Sequence, residues 1–269
     1  MTHHVLLVGC GDVGIALGQR LSAQGWTASG IRRSADKLPQ GINPISMDLT
    51  NPGDQDVPGA DGVVITLTAD GRDVEDYRST YLGALRGLHQ AMQTNGLPPR
   101  TVLVSSTGVL GDTDGATLTE DAKPHPTRET AKVLLEAEHL AQELFLNLVI
   151  VRPAGIYGPG RTSLINRVKQ GSPMNHARIT NRIHRDDLVT VLAKVLEAEQ
   201  PPQLLHAVDT EPASMGDVAA FIAEQLNVPM PPDKPGGSEG KTLDSTRMQQ
   251  FVGVLEYPTY REGYHSLLS

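Results

Sequence analysis

Four consecutive apolar residues, Val5-Leu6-Leu7-Val8, run into glycine, and apolar side chains then recur at helical spacing at Val13, Ile15, Ala16, Leu17 and Leu21. A strand, a tight turn and a helix are predicted in that order. Further short apolar runs predict strands over residues 26–31, 45–49, 62–67, 101–104 and 148–151, and helical patterns at about 72–95 and 128–146 separate the later ones. This alternation predicts parallel βαβ units and therefore an α/β fold built on a Rossmann-type doubly wound sheet. Beyond Pro153 the pattern is less regular. Helices at about 187–199, 214–226 and 244–252 are joined by proline-rich connections, with one short strand near 204–208. The expected organisation is a dinucleotide-binding domain over residues 1–155 and a smaller, interleaved C-terminal lobe over 156–269, forming one structural unit with the active cleft between them.

The first turn carries the earliest chemical signal. Gly9-Cys10-Gly11-Asp12-Val13-Gly14 has the spacing G-x-G-x-x-G between a strand and a helix. Gly9 would close the strand, Gly11 would let the main chain approach a pyrophosphate, and Gly14 would let the helix lie close to the sheet. The amides and positive dipole end of that helix favour phosphate. Asp12 would repel a pyrophosphate if it pointed inward, so its carboxylate is expected to face solvent. Cys10 is expected to be a small filler.

Cofactor choice depends on the end of the second strand, where NAD-selective sheets place an acidic residue that accepts from the ribose hydroxyls and repels a 2′-phosphate. This chain has Gly30-Ile31-Arg32-Arg33-Ser34 instead. Two guanidinium groups and a hydroxyl suit a 2′-phosphate, so NADP(H) is the expected cofactor, with NAD(H) as the alternative. One arginine–phosphate contact worth roughly 1.5–3 kcal/mol corresponds to a preference of about tenfold to a hundredfold. Asp48, after the third strand, is placed to meet an adenine amino group or to serve as a plain turn residue.

Composition narrows the classes further. With 23 Lys+Arg against 31 Asp+Glu the formal charge is -8, which argues against a nucleic-acid or anionic-membrane partner and leaves a small-molecule substrate. The single cysteine cannot form an internal disulfide, and the apolar run after Met1-Thr2-His3-His4 is too short for a signal-peptide core, so a cytoplasmic protein is expected. No Cys/His spacing suggests a metal site. Gly236-Gly237-Ser238-Glu239-Gly240 matches the letters of a nucleophile elbow but follows a proline-rich tract rather than a strand, which disfavours a serine hydrolase.

Three downstream motifs occur in order: Val104-Ser105-Ser106-Thr107-Gly108-Val109-Leu110-Gly111, Arg152-Pro153-Ala154-Gly155-Ile156-Tyr157-Gly158-Pro159-Gly160-Arg161, and Ile183-His184-Arg185-Asp186-Asp187-Leu188. With the glycine turn, and with Lys241-Thr242-Leu243-Asp244 and Tyr260-Arg261-Glu262-Gly263 near the end, the chain resembles the extended and atypical short-chain dehydrogenase/reductases, the NAD-dependent epimerase/dehydratase group. The resemblance implies that Ser106 binds the reacting oxygen, that Lys132 holds the nicotinamide ribose, and that a tyrosine four residues before the lysine exchanges the proton. Arg128 stands in that place. Arginine stays protonated and cannot do a tyrosine's work, and loss of a positioned acid costs about 10²- to 10⁴-fold in rate.

Three accounts follow. Another group, with Tyr157 the nearest tyrosine in a family motif, supplies the proton; or hydride transfer proceeds with little help; or the protein binds NADP(H) without turnover, as a sensor or regulatory interaction protein. Arg128 itself reads either as a surface residue or as a clamp for an acidic substrate, and Lys132 has an ion pair with Glu136 as its plain alternative. Asp186 reads as a helix cap and His184 as a structural residue. A homodimer is an expectation of the resemblance alone.

Overall fold

The computed structural model of the protein describes residues 2–113, 116–237 and 239–269. Ser238, the central residue of the elbow-like pentapeptide, lies outside them. The chain divides into two compact units, the first comprising Met1–Val109, Pro124–Arg152 and Val189–Leu205, and the second Leu110–Lys123, Pro153–Leu188 and His206–Ser269.

A strand covered on both faces needs an unbroken apolar run, and Val5 to Val8 are at most 1% exposed. They belong to β1 (His4–Val8). The sheet continues with β2 (Thr27–Arg32), β3 (Ile42–Ser46), β4 (Gly62–Ile65), β5 (Thr101–Val104), β6 (Leu148–Pro153) and β7 (Leu204–Ala207), in the spatial order β7-β6-β5-β4-β1-β2-β3. Pairing is parallel from β3 through to β6. The order reverses at β1, which lies between β2 and β4, and such a switch point opens a crevice beyond the carboxyl ends of the strands. Residues 204–207, expected as a short strand, form an edge strand of this sheet beside β6.

Helix α1 (Asp12–Ala23) follows β1 directly. It packs closely on the sheet at Gly18, where a Cβ would stand 2.8 Å from Leu7 and 2.9 Å from Ile42. At Gly14 a Cβ would meet Cys10 Sγ at 3.3 Å and Thr66 Oγ1 at 3.5 Å, just past the ends of β1 and β4. The pattern at 72–95 becomes an α-helical turn at Val74–Tyr77, a π-helical stretch at Arg78–Gly83 and an α-helix at Ala84–Ala91. Helix Glu129–Leu144 starts after Arg128, which is its N-cap residue. Leu85, Leu88, Val133, Ala137 and Ala141 from these helices join Leu6, Val63 and Ile65 of the sheet in one apolar core.

The second unit has short paired strands, Gly155–Tyr157 with Arg182–His184 and Ile179–Thr180 with Ala213–Ser214. Helices Met215–Leu226 and Tyr260–Leu268 cover a core in which Val218, Ile222, Tyr157, Tyr260 and Tyr264 meet. The last helix starts with a capping box between Thr259 and Glu262. Among the described residues, no helix is long and apolar enough to cross a membrane.

Candidate functional site

The residues following β1, β2, β3 and β4 enclose a cavity of about 400 Å³ in the first unit. Gly9 and Gly11 form its floor; Arg32, Arg33, Asp48 and Asp70 are among its walls. At Gly9 the backbone has φ +70°, and a Cβ would fall 2.9 Å from the Thr66 carbonyl oxygen, so both conformation and space require glycine. The Gly9 and Cys10 amides donate to Ile31 O at 3.0 Å, and the Gly11 amide donates back to Gly9 O at 2.7 Å, which folds the turn tightly. Around Gly11 the space is open, since the nearest atom to a Cβ there is Gly9 O at 3.8 Å. The turn therefore leaves its main chain bare at the N-terminus of α1, where no side chain caps the helix. A pyrophosphate fits such a cradle. Asp12 is exposed and Val13 buried, in the first turn of α1. Burial pushes the Cys10 thiol up to about 11, which leaves it a filler rather than a nucleophile.

The two arginines differ in setting. Arg32 is half-buried and donates to Cys10 O at 3.4 Å, keeping its guanidinium against the turn. Arg33 is exposed and forms an ion pair with Asp70, with nitrogen–oxygen distances of 2.7 and 2.6 Å. Asp48 accepts the Thr50 amide at 2.9 Å and the Thr50 hydroxyl at 2.7 Å, and those bonds hold its carboxyl below the usual range. That is the turn role, and Asp48 also lines the cavity. Asp70 gave no signal in the sequence, because it meets Arg33 only through the fold.

Ser106 lies just past β5, and its hydroxyl oxygen accepts the Gly108 amide at 3.0 Å, an arrangement compatible with donating its own proton to a substrate oxygen. The helix Glu129–Leu144 carries Lys132 near its start. Its buried residues are Ala131, Val133, Ala137, Glu138 and Ala141. At roughly 100° per residue the side chain of Lys132 projects about 180° from the centre of that face. Lys132 is exposed and donates to Glu129 at 2.6 Å, while Glu136 pairs with Arg78 instead. Arg128 is likewise exposed.

Tyr157 is 4% exposed, stacks on Tyr264 at 4.5 Å between ring centroids and donates to the Thr259 carbonyl at 3.5 Å. Burial, reinforced by the Asp209 and Tyr264 charges, pushes its pKa far up, so it holds its proton as a core residue. His184 is also buried, lies edge-on to Tyr157 at 5.3 Å, and burial lowers its pKa. Asp187, in the first turn of the helix Arg185–Glu197, accepts the Glu256 and Tyr257 amides at 2.8 and 3.0 Å. A buried carboxylate also anchors the first unit, where Glu138 accepts from Arg152 at 2.9 and 2.6 Å and from Ser105 at 2.5 Å. A charged residue in phase with the alanines of the helix was the available signal for it.

Known proteins bear on this geometry. The model of the NAD(P)H-binding family matches residues 9–199. Protein YeeZ of Escherichia coli is 26% identical over 268 residues, covering 94% of this chain and 96% of its own. A structure from Methylobacillus flagellatus, assigned as an NAD-dependent epimerase/dehydratase, superposes with a TM-score of 0.84 at 29% identity, covering 100% of this chain and 98% of that one. The UDP-glucuronic acid 4-epimerase of Bacillus cereus, solved with NAD, has a TM-score of 0.79 at 17% identity over 98% of this chain and 95% of its own, and shares the fold.

Proposed function

The chain belongs to the NAD(P)H-binding family, and from that premise we propose that it binds NADP(H) in the cavity above the Gly9–Gly11 turn and acts as an NADP(H)-dependent oxidoreductase or epimerase/dehydratase-type enzyme on a small carbonyl or sugar-type substrate. The observation that carries the cofactor choice is the wall beyond β2, where Arg32 and Arg33 line the cavity and no carboxylate occupies the ribose position on that strand. The nicotinamide would supply hydride chemistry. Gly9 and Gly11 would admit the pyrophosphate, Arg32 and Arg33 the 2′-phosphate, and Ser106 would donate to the substrate oxygen. Lys132 and Tyr157 are given no step.

A second reading is favoured by one observation. Arg128 stands where the resembling group has its proton-exchanging tyrosine, and it is exposed, which suits a protein that binds NADP(H) and reports its presence to a partner. Incubation with NADPH or NADP⁺ and a panel of aldehydes, ketones and nucleotide sugars separates the two. Cofactor-dependent turnover above buffer supports the enzyme; saturable binding with none across the panel supports the sensor.

A further inference from the structure

The Arg33–Asp70 ion pair crosses the turn that the cofactor phosphates would occupy. In the sheet β1 lies between β2 and β4, and Arg33 comes just after β2 while Asp70 comes shortly after β4. Their 2.6 Å contact thus joins the connections on either side of β1 across its carboxyl end, and both residues line the cavity with Gly9 and Gly11. The charge balance there is not simply basic, since Asp48, Asp70 and Asp76 line it alongside Arg32 and Arg33. Asp48 is turned onto Thr50, and Asp70 alone is seated on an arginine. With side chains 63% and 68% exposed, the pair is weakly held and open to exchange.

The geometry points to Asp70 as a specificity-determining residue: it competes with the 2′-phosphate for Arg33 and thereby limits the preference for NADP(H) over NAD(H). The inference rests on the NADP(H) reading of the cavity. A phosphate dianion offers Arg33 more charge and more acceptor oxygens than a carboxylate does, so it displaces Asp70. The displaced carboxylate then stays near a like charge and lowers the affinity. A dinucleotide without the 2′-phosphate leaves the pair undisturbed.

The test is titration of the full chain with NADPH and with NADH for the wild type, Asp70→Asn, Arg33→Ala and the double variant, with thermal melting to confirm folding. Asp70→Asn is expected to tighten NADPH by about two- to fivefold, the range of an exposed ion pair. NADH should change less than about twofold, and the gain should vanish when Arg33 is alanine, as a coupled pair requires. Equal tightening of both ligands, or none, with the wild type still preferring NADPH, overturns the role of Asp70 and leaves the cofactor reading intact. A wild type that prefers NADH, with Arg33→Ala unchanged in NADPH affinity, overturns both.

Discussion

Glu138 accepts two guanidinium nitrogens of Arg152, at 2.9 and 2.6 Å, with side chains only 2% and 5% exposed. The Ser105 hydroxyl donates to the same carboxylate at 2.5 Å, so one buried anion ties the helix Glu129–Leu144 to the ends of β5 and β6, next to Ser106. Removing the anion strands a buried cation, which costs far more than the pair contributes net. Glu138→Gln is therefore expected to lower stability by about 3–5 kcal/mol, while Glu138→Leu combined with Arg152→Met loses much less. Urea denaturation midpoints of the three proteins check this, and a single variant within about 1 kcal/mol of wild type contradicts it.

Lys132 points away from the sheet, and its exposed pair with Glu129 contributes little. Lys132→Ala is expected to change stability by no more than about 0.5 kcal/mol and to leave NADPH affinity within about twofold. Fluorescence titration of NADPH measures the second quantity. A tenfold loss, or more, would show that the lysine reaches the cofactor after all.

Asp209 is fully buried, and burial, opposed by Arg182, raises its pKa to about 7 from an ordinary 3.8. The native state thus keeps a proton that the unfolded chain releases. The stabilising contribution of the protonated acid is complete below pH about 4, declines as pH rises, and is lost above about 7. Asp209→Asn cannot ionise, so its stability relative to wild type should increase by on the order of 2–3 kcal/mol between pH 5 and pH 8. Urea unfolding of both proteins at the two pH values reads that difference; a constant or shrinking gap removes Asp209 as its source.

The part of the fold written in local pattern was legible. The run Val5–Val8, the glycine turn and the spacing Val13, Leu17, Leu21 specify strand, turn and helix from neighbouring residues alone, and the structure has them in that order. The short strand at Leu204–Ala207 was legible too, but its place at the sheet edge was not, because pairing with β6 depends on chain return across more than forty residues of intervening structure, for which periodicity carries no signal. Lys132 shows a similar limit. Its spacing from Arg128 is a property of the sequence, but the face it presents depends on which helical stripe meets the sheet, and Ala131, Val133, Ala137 and Ala141 turn it outward. Asp70 lies thirty-seven positions from Arg33, and only the switch in strand order brings them together.

The selection of NADP(H) by the arginines beyond β2 is tested most directly by the ratio of NADH to NADPH dissociation constants, measured by titration in the wild type and in an Arg32→Ala/Arg33→Ala double variant. The expected wild-type ratio is about ten to a hundred and falls towards one in the variant, through loss of NADPH affinity with NADH unchanged. A wild type that binds NADH at least as tightly as NADPH, or a ratio that survives removal of both guanidinium groups, would contradict it.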